Sequence, residues 1–200
     1  MVGKGVTPST FVFATDAVAI VVNEANTVDA LTIEQVAGIF KGETKKWTDV
    51  GGKGDAIGLY GRQSSSGTYD YVKKTALKGD YAPTLKQLNG NAEIVEAVAH
   101  DATGVGYVAA GYLKEAKGVK ALKLKVGADA FSPSDKASVL AGKYPLARPL
   151  FHFTNGKPTG AARDFMAFEA SDAGQAIVEQ MGFYPIFDDR KAGNAATLGN

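Results

Sequence analysis

From Phe11 to Val22 the chain is apolar, β-branched or aromatic at every position except Thr15 and Asp16. A run of that length and composition predicts one long, largely buried strand. Thr32-Ile33-Glu34-Gln35 has the form of a capping box, Ile33, Val36, Ile39 and Phe40 recur at helical spacing, and Gly42 stands where a left-handed stop belongs. Those features predict a short helix. After the turn-rich Gly51-Gly52-Lys53-Gly54, residues Ala56 to Tyr60 predict a short strand that enters a serine-rich loop, and Thr68 to Ala76 predict a helix that leaves it. Asn91 is expected to cap a helix through Ala99, and Gly104 to Val108 to form another short strand. Val119 to Val126 alternates apolar residues with lysine, as one half-exposed strand does.

A second long extended segment is expected between Leu146 and Thr154, bracketed at its start by Pro145 and Pro149. Thr159 can cap a helix whose buried stripe is Ala162, Phe165, Met166 and Phe168, and a last helix should run from Ser171 to Met181, stopped by Gly182. The small, polar tail from Lys191 to Asn200 is expected to fray. Alternating strand and helix patterns without an internal repeat predict an α/β chain.

Two hundred residues, 45% hydrophobic, suffice for one large domain or two smaller lobes with real cores. The charge balance of 22 − 21 = +1 supplies no global field toward nucleic acid or an anionic membrane, so any anion recognition must be local. With no cysteine, a disulfide framework and thiolate metal sites are excluded. No stretch approaches the roughly 18 to 20 continuous apolar residues of a membrane span, and Met1 to Gly5 lacks the apolar core of a signal peptide.

The chemistry concentrates in Gly61-Arg62-Gln63-Ser64-Ser65-Ser66-Gly67-Thr68. A tetrahedral oxyanion taken out of water needs several converging donors. Arg62 offers a planar fork, Ser64, Ser65, Ser66 and Thr68 offer hydroxyls, and Gly67 allows close backbone approach, with N–H groups at the start of the following helix aimed at the same spot. The bland alternative is a solvated turn that only caps a helix. A nucleotide P-loop does not fit, because five residues separate Gly61 from Gly67 and no lysine precedes Thr68. A nucleophile elbow does not fit either, since Gln63 stands two residues before Ser65. His100 and His152 have no metal-ligand spacing and read as a helix-end dipole partner and a strand side chain.

Several ordered segments together resemble the substrate-binding proteins of bacterial phosphate ABC transporters, which have the type II periplasmic-binding-protein fold. They include Thr15 to Asn23, Leu31 to Gln35, Ile39 to Gly42, Trp47, Tyr60 to Tyr69, Gly104 to Val108, Tyr144 to Leu150, Thr154 to Pro158 and Gly182 to Ile186. The resemblance implies two α/β lobes crossed by two hinge strands, Phe11 to Asn23 and Ala147 to Thr154. One complete lobe would span 22–147, and a partial lobe would comprise 1–21 and 148–200. It implies Arg62, Ser66, Gly67 and Thr68 as phosphate ligands, to which the loop's own chemistry adds Ser64 and Ser65. Ser64 stands where some members carry an acidic residue that orients the arginine, so Arg62 must be held by another group.

Members of that family begin with roughly 70 to 80 further residues, a domain-sized fraction, which supply a Ser/Thr-rich loop and a proton-accepting carboxylate. The resemblance therefore implies an incomplete first lobe with exposed edges, and self-association as a homodimer through it. Asp16 is a candidate replacement for the proton acceptor, with a structural role as the alternative. The implied partners are inorganic phosphate and a membrane permease, with no nucleic acid, no cofactor, no metal and no catalysis, in a periplasmic or other extracytoplasmic setting. A scaffold or interaction protein with weak or lost oxyanion binding is the competing reading. A phosphate-ester hydrolase is a third, and it requires a base or metal site that the sequence does not reveal.

Overall fold

The computed structural model describes residues 5–54 and 56–199. The expectation for the leading residues 1–4, and the final residue of the 148–200 segment, lie outside the described residues. Strand β1 runs from Pro8 to Asn23 and is followed by β2 (Ala30–Thr32) and α1 (Ile33–Phe40). Next come β3 (Gly58–Arg62), α2 (Gly67–Val72), β4 (Lys86–Leu88), α3 (Asn91–Ala99) and β5 (Gly104–Ala109). Strands β6 (Val119–Ala121), β7 (Lys123–Val126) and β8 (Asp129–Phe131) precede α4 (Lys136–Leu140). Strand β9 (Ala147–Asn155) then leads into α5 (Gly160–Ala170), α6 (Asp172–Gln180) and α7 (Asp188–Leu198). The chain divides into two compact units, one from Ala17 to Leu146 and one made of the described residues up to Asp16 with those from Ala147 onward.

In the unit from Ala17 to Leu146, strands lie in the order β4-β3-β5-β1-β6, and β2, β7 and β8 form a separate small sheet. Residues Val18 to Val22 are fully buried; this stretch of β1 pairs antiparallel with β5 throughout and with β6 at Val21 and Val22. Helix α3 covers the sheet with Ile94 and Val98, which pack with Ala19, Val21, Tyr60 and Val108. Burying each of these two side chains contributes about 1.5–3 kcal/mol. The helix comes this close because Gly106 leaves room for it: a Cβ there would stand 2.5 Å from Ile94 Cγ2. The capping box of α1 forms as its sequence predicts, with Gln35 N–H donating to Thr32 Oγ1 and Thr32 N–H to Gln35 Oε1.

Four local expectations are corrected here, the first being the buried stripe of α5, where Met166 is buried but Ala162, Phe165 and Phe168 are exposed. The single strand expected from Val119 to Val126 is two, since β6 pairs with β1 while β7 pairs with β2. Between them Leu122 is buried and its N–H donates to Ile20 O at 2.8 Å. The helix expected through Ala76 changes after Val72 into a π-helical turn, Lys73–Leu77, which ends at Lys78 with a positive φ of 50°. Gly90, not Asn91, occupies the cap position of α3, and the Asn91 side chain points elsewhere.

In the other unit, Thr15 of β1 exchanges two 2.8 Å backbone bonds with Tyr184, and β9 also pairs with β1. Phe11, Met166 and Leu198 form the buried cluster, with Phe13 packed against it. The tail does not fray. It forms α7, because Leu198 is drawn into that cluster and Asn194, 5% exposed, bonds to β1. Asp16 accepts from Arg148 Nε at 3.2 Å and Nη2 at 3.0 Å, with the two side chains 5% and 19% exposed. Removing one member of so buried a pair strands the other's charge. Asp16→Ala is therefore expected to destabilise the protein by about 3–5 kcal/mol, read as a lower urea midpoint with an unchanged slope.

Candidate functional site

Strand β3 lies between β4 and β5 and runs parallel to both, with Arg62 opposite Leu88 and Tyr60 opposite Gly106. Ligand sites in α/β sheets lie beyond the carboxyl ends of such strands. Here the strand's carboxyl end is Arg62, and the serine-rich loop follows it directly. The entry into the loop is fixed by Gln63, whose N–H extends the ladder to Leu88 O and whose side chain bonds to Asn89.

Arg62 is half-buried. Its backbone N–H donates to the Tyr107 hydroxyl at 3.1 Å, and its Nη1 lies 3.5 Å from Asn91 Oδ1, which also accepts from Ala109 N–H at 3.4 Å. Its Nε is buried and bonds to nothing among the described residues. The group that orients the guanidinium is thus a neutral carboxamide, at the long limit of hydrogen bonding. A buried donor left unpaired costs about 1–3 kcal/mol, so the arginine is poised to gain from an acceptor.

Sequence reasoning missed Asn91, read as a helix cap, and also missed Tyr107 and Tyr81. Tyr107 is fully buried, edge-on to Phe40 and stacked with Tyr81, whose hydroxyl donates to Tyr69 O at 3.0 Å. Burial pushes both the Tyr81 and Tyr107 hydroxyls above their ordinary value, so both stay protonated. No local signal in the sequence pairs residue 107 with residue 62; only the β3–β5 register does.

Ser64 and Ser65 form an exposed turn closed by Ser66 N–H donating to Gln63 O at 2.9 Å. Ser66 is the cap of α2, its Oγ accepting Thr68 N–H at 3.2 Å. A hydroxyl that accepts still has its own hydrogen to donate. Gly67 is exposed, with nothing within 4 Å of where a Cβ would sit, and Thr68 is buried. Arg62 and Ser64 to Thr68 therefore all belong to one tight turn between β3 and α2, with hydroxyls both on its surface and at its base.

Behind the loop, Tyr60 ties β3 to Asp101. Tyr60 OH donates to Asp101 Oδ2 at 2.9 Å, Thr103 donates to Oδ1 through Oγ1 at 2.8 Å and N–H at 2.9 Å, and Lys86 Nζ donates to the Tyr60 oxygen at 3.0 Å. Burial raises the Asp101 carboxyl, but these donors outweigh it and hold the group below its ordinary 3.8. A carboxyl whose folded pKa is depressed stabilises the fold above its unfolded value, and that contribution is lost as pH falls through the folded one. Thermal melts between neutral pH and about pH 2 should show an acid-side loss of stability that is smaller in Asp101→Asn.

The histidines take no part in the loop. His100 Nδ1 is 2.8 Å from Glu96 O at the end of α3, and His152 Nε2 is 3.0 Å from Glu169 Oε2. Among the described residues no group of three or more His, Cys, Asp or Glu could hold a metal ion, and no helix is long and apolar enough to cross a membrane.

Gly61 makes the close approach to Tyr107 possible: a Cβ there would stand 2.9 Å from the Tyr107 ring and hydroxyl and 3.1 Å from Leu85. Gly61→Ala should cost about 1–3 kcal/mol by overpacking, measured by chemical denaturation, and should free the backbone of Arg62 from Tyr107.

Comparisons with known proteins agree with this architecture. Residues 4–173 match the model described as PBP superfamily domain. The phosphate-binding protein PstS of Pseudomonas aeruginosa is 35% identical over 199 residues, covering 91% of this chain and 61% of that protein. PstS of Bacillus subtilis is 32% identical over 172 residues, covering 85% of this chain and 55% of that one. This chain thus spans less than two thirds of the length of these relatives. Among solved structures, an ABC-type phosphate transport receptor from Vibrio cholerae superposes with a TM-score of 0.78 at 30% identity, over 90% of this chain and 73% of that one.

Proposed function

This chain belongs to the PBP superfamily domain family, and from that premise we propose that it binds inorganic phosphate, reversibly and without covalent chemistry, as part of the substrate-binding component of an ABC-type importer. The setting that follows from this reading is extracytoplasmic, with a membrane permease as the partner. The observation that carries the proposal is Arg62: a half-buried guanidinium with an unpartnered buried Nε, at the carboxyl end of a central strand, beside three serines and a threonine. The phosphate receptors named among the relatives and structural neighbours support the choice of anion.

On this reading Arg62 supplies the positive charge, and the hydroxyls of Ser64, Ser65, Ser66 and Thr68, with the backbone at Gly67, supply further donors. Tyr107 and Asn91 position the arginine from behind and do not touch the anion. The groups assigned here to the anion are donors, which serve the oxygens of sulfate as well as those of phosphate, so sulfate should compete with phosphate.

Isothermal titration with phosphate is the direct test. A guanidinium fork making two charge-assisted bonds contributes about 3–6 kcal/mol, so Arg62→Ala should weaken binding by about 10² to 10⁴ and abolish phosphate-dependent thermal stabilisation. Equal binding by the unaltered chain and Arg62→Ala would refute the role of the loop. A folded, unaltered chain that neither binds nor is stabilised by phosphate would favour a scaffold that has lost ligand binding.

A further inference from the structure

The carboxamide of Asn194 on α7 makes two bonds to a single residue of β1: Val12 N–H donates to Asn194 Oδ1 at 2.9 Å, and Asn194 Nδ2 donates to Val12 O at 2.7 Å. A residue in an adjacent antiparallel strand makes the same pair of bonds when it faces its partner in a hydrogen-bonded pair. Asn194 is therefore standing in for a strand. Two residues along the same edge, Thr197 Oγ1 donates to Thr10 O at 2.9 Å, and the end of the helix is tied down by Arg163 Nε donating to Leu198 O at 3.0 Å. The opposite edge of β1 is occupied, since Thr15 bonds in both directions to Tyr184. At Val12 and Thr10 the edge is thus covered by side chains of α7 and not by a strand, while Phe13 O accepts from Gln175 Nε2 at 3.0 Å.

Three features make the cover displaceable. Most of α7 is solvent-facing, with Asn194 and Leu198 as its buried side chains among those described. Beneath it lies a cavity of about 220 Å³ lined by residues that include Ala170, Gln175, Ile186, Asn194 and Leu198, so the helix does not fill the space under it. Among the described residues, Asn194 and Thr197 supply side-chain hydrogen bonds that hold it to the strand.

The edge beneath is Thr10-Phe11-Val12-Phe13-Ala14, which contains no charge, no proline and no glycine. Such a segment, rich in aromatic and β-branched residues, is self-complementary when exposed. We propose that this edge is an interaction surface for a second copy of the chain, gated by Asn194. When α7 lifts, two β1 strands pair antiparallel about a twofold axis at Val12, each Val12 giving its partner the N–H and C=O that Asn194 gave it. The inference is independent of phosphate binding, because none of its residues belongs to the loop at Arg62.

The test is the oligomeric state of Asn194→Ala, followed by size-exclusion chromatography with light scattering across a concentration series. Removing the carboxamide should produce a dimer or larger species that grows with concentration and exceeds anything formed by the unaltered chain. Adding Thr10→Lys, at an exposed position on the same edge, should return Asn194→Ala to a monomer, because an edge lysine opposes strand pairing. A folded Asn194→Ala that associates no more than the unaltered chain would overturn the proposal, as would association that Thr10→Lys leaves unchanged. Should Asn194→Ala not fold, hydrogen exchange on the unaltered chain decides instead. Exchange of the Val12 amide together with the amides of α7, ahead of Val18 to Val22, supports the gate; exchange of Val12 only on global unfolding overturns it.

Discussion

A strand of sixteen residues, buried over most of its length, must find partners for its backbone groups along both edges, and β1 imposes that demand on each unit in which it lies. Between Val18 and Asn23 the requirement is met by strands, β5 on one edge and β6 on the other, with α3 laid over the sheet. Between Thr10 and Thr15 it is met differently. There Tyr184 and the Gln175 side chain bond to Thr15 and Phe13, and the side chains of Asn194 and Thr197 bond to Val12 and Thr10. The same strand is thus closed by a sheet in one unit and partly by a helix in the other.

The loop at Arg62 depends on that sheet. β5 is anchored to β1, β3 is anchored to β5, and this register brings Tyr107 under Arg62 and Asn91 beside it. Positioning by neutral groups has an electrostatic consequence. The Tyr107 hydroxyl holds the backbone of Arg62 and the Asn91 carboxamide faces its guanidinium, and neither group, being uncharged, neutralises the charge of that guanidinium. A carboxylate in Asn91's place would share that charge before any ligand arrived.

Much of the secondary structure was legible because it follows from local pattern. The apolar run of β1, the capping box of α1 and the strand-loop-helix around Arg62 each rest on neighbouring residues and appear in the structure close to where the pattern puts them. The misread elements have their causes elsewhere in the chain. Val119 to Val126 divides because its two halves pair with different strands. The tail from Lys191 to Asn200 has a composition that predicts fraying, yet through Leu198 it is helical because residue 194 meets residue 12 and Leu198 enters a cluster with Phe11 and Met166. The contacts with Val12 and Phe11 span more than 180 residues, and no local periodicity encodes them.

By itself the sequence determined the alternation of strands and helices, the near-neutral charge that confines anion recognition to one place, and the donor-rich loop from Gly61 to Thr68. These are properties of composition and short-range spacing, which a chain carries before it folds. Only the tertiary structure decided that Asn91 faces Arg62 and does not cap its helix, that Tyr107 carries the arginine's backbone, that Asp16 is committed to Arg148, and that a polar tail closes the edge of β1. Each of those outcomes is set by which distant backbone and side-chain groups must satisfy one another once water is excluded, and that is settled by strand register and packing.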